Sequence, residues 1–246
     1  MALIIFSNIF SQQIKTNIDY IFKNSILVDQ LWEHKICEKI CHYVKDGSDF
    51  IDIGSNIGLI TLGVRLCLKR NHLHKSIQKI HCFECDNENF ASLKFNTSSY
   101  TDINLYNFAL GETSQLCNMS VNEYNNGCNI INTTYTSDKT DTYEYAHTTT
   151  ESFKKVQNIF ISIMSLDSIS YIFTNNVSVI KIDVEGFEFL VLNGSKTFLE
   201  KHKPIIFIEI FEAQYNKTLE LLNSLNYVLI ENLGELNYIF KHNFDI

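Results

Sequence analysis

The chain has 246 residues, a hydrophobic fraction of 45% and a formal charge of −8 at pH 7. So much apolar material excludes disorder over most of the chain, and the length suits one α/β domain. The acidic balance disfavours a nucleic-acid partner, because phosphate contacts need a basic surface.

The seven cysteines are an odd number and are spread over apolar segments, unlike a small disulfide scaffold. We therefore expect a cytoplasmic protein, in the host cytoplasm if the AT-rich coding bias comes from a virus. No apolar run approaches the roughly 20 residues of a membrane helix, and the N-terminus lacks the basic start of a signal peptide. We expect no membrane partner.

The predicted elements alternate between strand and helix from residue 49 onwards. Residues 1–48 form an N-terminal helical extension, with its helix predicted over 29–44 from apolar residues at helical spacing. Strands are then predicted at 49–54, 79–84 and 103–110, with helices at 57–68 and 87–98. This alternation is typical of a parallel sheet built from crossover units.

Residues 111–165 interrupt the alternation. They are rich in Asn, Thr and Tyr and contain β-prone segments at 129–135 and 158–164. We expect a β-rich insertion that serves as a lid over the substrate.

The alternation resumes after the insertion. A strand at 177–183, a helix at 186–201, a strand at 204–209, a helix at 213–225 and a hairpin of strands at 227–231 and 236–240 follow. The prediction is therefore a doubly wound, mostly parallel seven-stranded sheet with an antiparallel C-terminal hairpin, spanning residues 49–246.

Open α/β sheets bind ligands beyond the carboxyl ends of their strands. The first predicted strand ends in Asp52-Ile53-Gly54-Ser55-Asn56-Ile57-Gly58. Glycines let such a turn approach a ligand closely. Asn56 replaces the middle glycine of the dinucleotide pattern, and Asp52 suits a positive sulfonium or ammonium better than a pyrophosphate. Glu84, at the end of the second strand, can accept hydrogen bonds from both hydroxyls of an adenosine ribose.

The segment 181–186 carries the most specific pattern. Lys181 and Asp183 lie two apart, so they point to the same side of the strand, and a lysine in an apolar strand needs a partner. Glu209 ends the next strand. If the two strands are neighbours, Asp183 and Glu209 can raise one another's pKa or share a metal, and either arrangement suits deprotonation of a hydroxyl.

In chain order these segments resemble the FkbM family of S-adenosylmethionine (SAM) dependent methyltransferases. The resemblance covers residues 48–210 and rests on 50–61, 83–84, 107–111, 165–167, 181–186 and 208–209. It implies a class I, Rossmann-like SAM methyltransferase fold and O-methylation of a small hydroxylated acceptor. A sugar or glycan is the first choice of acceptor.

The resemblance also implies roles for individual residues. The methionine part of SAM would lie against Asp52, Gly54, Ser55, Asn56 and Gly58, the ribose against Glu84, and the adenine against Cys85, Asn107, Phe108 and Ala109. Cys85 and Asp86 stand where the family would have a proline-containing stretch. Asp183 would stand near the transferred methyl group. Our own hypothesis is that Asp183 is the base, with Lys181 beside it. Glu209, Glu185 and His147 are alternative bases.

Other interpretations stay open at this point. The same sheet could serve an NAD(P)-dependent oxidoreductase or a non-catalytic adenosine-binding module. A divalent metal is possible at the carboxylates without direct support, and zinc at Cys82 and Cys85 is disfavoured against buried thiols. The oligomeric state is open, a dimer included.

Overall fold

A computed structural model gives the structure of the protein. It describes residues 3–17, 22–26, 28, 30–70, 75–122, 129–132, 156–234 and 236–245.

The N-terminal extension contains a hairpin as well as the predicted helix. Strands β1 (Leu3–Ser7) and β2 (Gln12–Thr16) pair antiparallel, a short π-helical turn follows at Phe22–Ile26, and helix α1 spans His34–Tyr43. The hairpin was not predicted. Its strands have five residues each and pair Ile5 with the fully buried Ile14, so the period-two pattern in the sequence is short.

The next five elements build one half of the main sheet. They are β3 (Ser48–Ile53), α2 (Leu59–Arg70), β4 (Ile77–Phe83), α3 (Asn87–Asn96) and β5 (Ile103–Tyr106). All three strands are parallel, with β3 paired to β4 and β4 to β5.

The insertion forms a second sheet. Its strands are β6 (Ala109–Leu110), β7 (Gln115–Asn122), β8 (Ile130–Asn132) and β9 (Val156–Met164), in the order β6-β9-β7-β8. The single strand predicted over 103–110 is therefore two strands in different sheets, because the chain leaves the main sheet at Asn107 and Phe108. Residues 123–128 and 133–155 of the predicted lid lie outside the described residues.

The remaining elements complete the main sheet. They are β10 (Val177–Ile182), α4 (Glu188–Asn193), α5 (Lys196–His202), β11 (Ile205–Glu209), α6 (Tyr215–Ser224), β12 (Tyr227–Gly234) and β13 (Asn237–His242). The helix predicted over 186–201 is broken at Gly194. A Cβ on Gly194 would lie 2.0 Å from the carbonyl oxygen of Gly111, so the chain turns there in close contact with the insertion.

The main sheet has the strand order β12-β13-β11-β10-β3-β4-β5. Only β13 runs against its neighbours, which confirms the predicted mostly parallel, seven-stranded sheet with an antiparallel C-terminal hairpin. Both faces are covered. Ile51, Ile180 and Ile206 belong to one core, and Phe50, Val179 and Phe207 to the core beneath α1 and α2. The carboxyl ends of β3, β4, β10 and β11 consequently meet at one edge.

Candidate functional site

The loop after β3 is a tight turn held by its neighbours. The amides of Gly54 and Ser55 both donate to the carbonyl oxygen of Phe83, at 3.0 Å each. Gly54 has a φ of +78°, and a Cβ there would lie 1.8 Å from the carbonyl oxygen of Asp183. Only glycine allows the loop to pass this close to the end of β10, so the loop and Asp183 are adjacent.

Asp52 lies beneath this loop and is fully buried. Its Oδ2 accepts a hydrogen bond from the Thr61 hydroxyl at 2.7 Å, while its Oδ1 is buried without a hydrogen-bond partner. Burial raises the pKa of Asp52, and the nearby ammonium of Lys181 opposes this shift. The structure therefore brings Asp52 to Lys181, under the loop rather than on its surface.

Glu84 holds the same loop from the end of β4. One of its carboxylate oxygens accepts from the amide of Asn56 and the other from the amide of Asp86, at 2.8 Å each. Its side chain is buried, and burial raises the pKa of Glu84 to about 7. Since a carboxylate has about four lone-pair sites, two remain for a ligand.

The residues after β5 lie beside Glu84. The Asn107 side-chain amide donates to the carbonyl oxygen of Glu84 at 3.0 Å, and the Phe108 ring packs edge-on against Phe83. Ala109 is buried in the core, and the Cys85 sulfur lies 3.5 Å from the Met119 sulfur of the insertion. Of the residues predicted to border the adenine, Asn107 and Phe108 thus lie beside Glu84 and Phe83, while Cys85 contacts the second sheet through Met119.

The end of β10 carries an ion pair between a buried lysine and a partly exposed aspartate. Lys181 Nζ donates to Asp183 Oδ2 at 2.9 Å, and Lys181 is only 4% exposed. Burial is the largest single influence and disfavours the ammonium, but the charge of Asp183, its hydrogen bond and the other nearby carboxylates together outweigh burial and raise the pKa of Lys181 above its ordinary value. The carboxylates of Asp52 and Glu33 add to this effect, so the N-terminal extension contributes charge to the site.

Asp183 and Glu209 form a hydrogen-bonded carboxyl pair, as the neighbouring strands β10 and β11 predict. Burial alone would raise the pKa of Asp183, but Lys181 and the hydrogen bond from Glu209 lower it. Burial and the charge of Asp183 raise the pKa of Glu209 to about 10. At neutral pH the shared proton therefore stays on Glu209 and the negative charge on Asp183.

Glu185 joins these two side chains. Oxygen atoms of Asp183, Glu185 and Glu209 lie within 4.8 Å of one another, a spacing at which three carboxylates could hold a hard cation such as Mg²⁺. Lys181 already neutralises part of this charge without a metal.

The turn at 183–186 is held by two residues that the sequence analysis missed. Glu188 is fully buried, and its Oε1 accepts from the amides of Val184 and Gly186 at 3.2 and 3.0 Å. The buried Gln214 donates to the carbonyl oxygen of Gly186. An acid in the first turn of α4 is a recognisable local signal, whereas nothing in the sequence links Gln214 to a turn 28 positions earlier.

The zinc candidates Cys82 and Cys85 do not form a joint site. The Cys82 sulfur lies 3.2 Å from the Thr61 hydroxyl and the Cys85 sulfur contacts Met119, so the two thiols have different surroundings. Burial raises the pKa of both thiols, as expected for buried cysteines. His147 lies outside the described residues.

A sequence model of the methyltransferase FkbM domain matches residues 52–238, about three quarters of the chain. The chain belongs to the FkbM methyltransferase family. The matched residues are accordingly a SAM-dependent methyltransferase domain, and the strand order above is its class I sheet. No curated protein matches this methyltransferase in sequence.

Solved structures similar to this methyltransferase share little sequence with it. The methyltransferase FkbM from Methylobacillus flagellatus is 18% identical with a TM-score of 0.49, over 80% of this chain and 44% of that one. The present chain thus spans less than half of that protein. Aeropyrum pernix fibrillarin, crystallised with natively bound SAM, is 10% identical with a TM-score of 0.46, over 81% and 68% of the two chains. Precorrin-6y C5,15-methyltransferase from Geobacter metallireducens is 8% identical with a TM-score of 0.44, over 84% and 86%.

Within the described part of the methyltransferase, none of the helices combines the length and the apolar character needed to cross a membrane.

Proposed function

We propose that this methyltransferase transfers the SAM methyl group to a hydroxyl oxygen of a small acceptor, with a sugar or glycan as the first choice. One observation carries the proposal. An ionised carboxylate, Asp183, lies at the carboxyl edge of the sheet against the Gly54 loop, hydrogen-bonded to Lys181 and Glu209.

The residues around the Gly54 loop fit SAM. Glu84 has two free lone-pair sites for the ribose hydroxyls, and Asn107 and Phe108 stand beside it for the adenine. The buried, unpartnered oxygen of Asp52 adds negative charge beneath the loop, which favours the positive methionine part. Gly54, Ser55, Asn56 and Gly58 would supply the loop surface, and the family relation supports these roles.

Asp183 is our choice for the base. SAM supplies an electrophilic methyl carbon whose bond to sulfur breaks as the acceptor oxygen attacks. The hydroxyl becomes strongly acidic as it gains the new bond, so a weak base suffices, and Asp183 takes the proton. Lys181 orients that carboxylate, while Glu209 carries a proton at neutral pH and is the poorer base. Glu185 stays an alternative base on the same edge.

We assign acceptor selection to the two parts outside the shared motifs, the N-terminal extension and the insertion at 111–165. The net charge of −8 favours an uncharged acceptor over a nucleic acid. We place the enzyme in the cytoplasm on its cysteine usage. A divalent metal at Asp183, Glu185 and Glu209 stays an alternative.

The test is methyl transfer from labelled SAM to a panel of neutral sugars and oligosaccharides, with products analysed by mass spectrometry. We expect one methyl ether per product, and loss of transfer on adding a chelator would assign a divalent metal to the three carboxylates. Transfer only to amines, or only to RNA, would overturn the O-methylation proposal. Binding of SAM without transfer to any acceptor would instead support the non-catalytic module.

A further inference from the structure

A single buried asparagine connects the N-terminal hairpin to the loop that carries Asn56. Asn96 is the last residue of α3 and is 1% exposed. Its Oδ1 accepts from the amide of Lys15 at 2.6 Å, and its Nδ2 donates to the carbonyl oxygens of Lys15 at 3.1 Å and Ile57 at 2.8 Å. One side chain therefore hydrogen-bonds to backbone groups of both strand β2 and the loop after β3.

Two further contacts strengthen this connection. The Gln12 side chain donates to the carbonyl oxygen of Asn96 at 2.8 Å. Ile14, on the inner side of the hairpin, belongs to the same small core as Ile57 and Leu59. The hairpin is thus linked to Ile57 by the hydrogen bonds of Asn96 and by the apolar core that Ile14 shares with Ile57.

The connection leads directly to the cofactor site. Ile57 lies between Asn56, whose amide donates to Glu84, and Gly58, where a Cβ would lie 2.7 Å from Leu93 of α3. A shift of the Ile57 carbonyl would therefore move the amide that orients the Glu84 carboxylate. Such a shift would weaken the hydrogen bonds of Glu84, because hydrogen bonds weaken steeply as their distance and angle depart from the preferred geometry.

We infer that Asn96 is a positioning residue which makes the N-terminal hairpin part of the SAM-binding apparatus, although the hairpin lies outside residues 52–238 of the family match. The inference concerns the cofactor only. It holds whichever acceptor receives the methyl group, so a failed acceptor screen leaves it standing.

The first test is the Asn96→Asp variant, which retains the acceptor for the Lys15 amide but places an oxygen against the carbonyl of Ile57. Binding of S-adenosylhomocysteine is measured by isothermal titration calorimetry, and the melting temperature is measured by differential scanning calorimetry. We expect the dissociation constant to rise about tenfold. The control is Asp49→Asn, because Asp49 contacts His81 in a buried polar cluster on the face of β3 that points away from Asp52. This variant should lower the melting temperature without changing the dissociation constant.

A lower melting temperature of Asn96→Asp with unchanged affinity would overturn the inference and leave Asn96 a structural residue. Should the variant not fold, hydrogen exchange on the wild-type chain decides. We expect saturating S-adenosylhomocysteine to slow exchange of the Lys15 amide, which donates to Asn96. Unchanged exchange of that amide, with slowed exchange in the Gly54 loop, would equally overturn the inference.

Discussion

Strand β3 buries two aspartates, and their surroundings differ. Asp49, near the start of the strand, has both carboxylate oxygens paired. Asn175 donates to one at 3.1 Å, and His81 contacts the other at 3.2 Å. Asp52, near the end and on the opposite face, has one oxygen paired with Thr61 and one without a partner.

The comparison separates structural from functional burial of charge. At Asp49 the surrounding side chains supply a hydrogen-bond partner for each carboxylate oxygen. His81, one of these partners, is held in place because its ring contacts the Tyr106 hydroxyl and stacks against the Tyr106 ring. At the end of β3, by contrast, Asp52 belongs to a group of acids around one lysine, with Asp183 and Glu209 sharing a proton. Incomplete pairing of buried acids is costly for stability. It is expected where a ligand is to be bound.

The largest expected effect comes from Asp183. The Asp183→Asn variant keeps the shape and an acceptor for Lys181 but cannot take a proton. We expect the turnover number to fall about 10²- to 10⁴-fold with the best acceptor of the screen, while the affinity for S-adenosylhomocysteine changes by less than about threefold. Asp49→Asn should leave turnover unchanged. Equal losses of turnover in Asp183→Asn and Asp49→Asn would contradict a catalytic role for Asp183 and a purely structural role for Asp49.

Glu84, at the end of β4 beside the Gly54 loop, and His81, beside Asp49, should make opposite contributions to the pH dependence of stability. Glu84 has its pKa raised by burial to about 7 from 4.5, so the folded state binds more protons than the unfolded state in this window. Stability therefore falls as pH rises from 4.5 to 7, by at most on the order of 3 kcal/mol for this residue. Burial lowers the pKa of His81, so its contribution is lost as pH falls below 6.5.

Denaturant unfolding at a series of pH values checks this prediction. Glu84→Gln should make the slope of stability against pH more positive, and His81→Gln should make it more negative. Slopes that shift in the same direction, or that stay at the wild-type value, would contradict the assigned pKa shifts.

The smallest effect is expected for substitution of Asp52 or Asp49, the two aspartates of β3. Asp52→Asn removes a negative charge from beneath the Gly54 loop and should weaken binding of SAM about tenfold. The matched Asp49→Asn variant should lower the free energy of unfolding by about 1 to 2 kcal/mol and leave SAM affinity unchanged. The comparison fails if Asp52→Asn affects only stability.

The sequence predicted the main sheet because its strands are short apolar runs with acidic residues or glycines at their ends. The carboxyl ends of parallel strands meet at one edge, so Asp183 and Glu209 were expected to lie together, as they do. The burial of Asp52 beneath the loop was not predicted, since strand periodicity fixes a face of the sheet and not the distance to a surface.

Glu188 left a local signal, as an acid in the first turn of α4, but Asn96 and Gln214 could not be predicted in the same way. Each acts through hydrogen bonds to the backbone of a distant or turning segment, and backbone partners leave no residue-type signature in the sequence. The contact between Asn96 and Lys15 joins positions 81 apart. The hairpin was missed for the related reason that its few inward residues give a short pattern.

The central claim is that the carboxyl edge of this sheet binds SAM through Glu84. Calorimetric titration of S-adenosylhomocysteine into wild-type protein and into Glu84→Gln, with NAD titrated in parallel, tests it most directly. We predict one binding event per chain, weakened about tenfold or more in the variant, and no binding of NAD. Absence of S-adenosylhomocysteine binding at millimolar concentration, or equal binding by wild type and variant, would contradict the account.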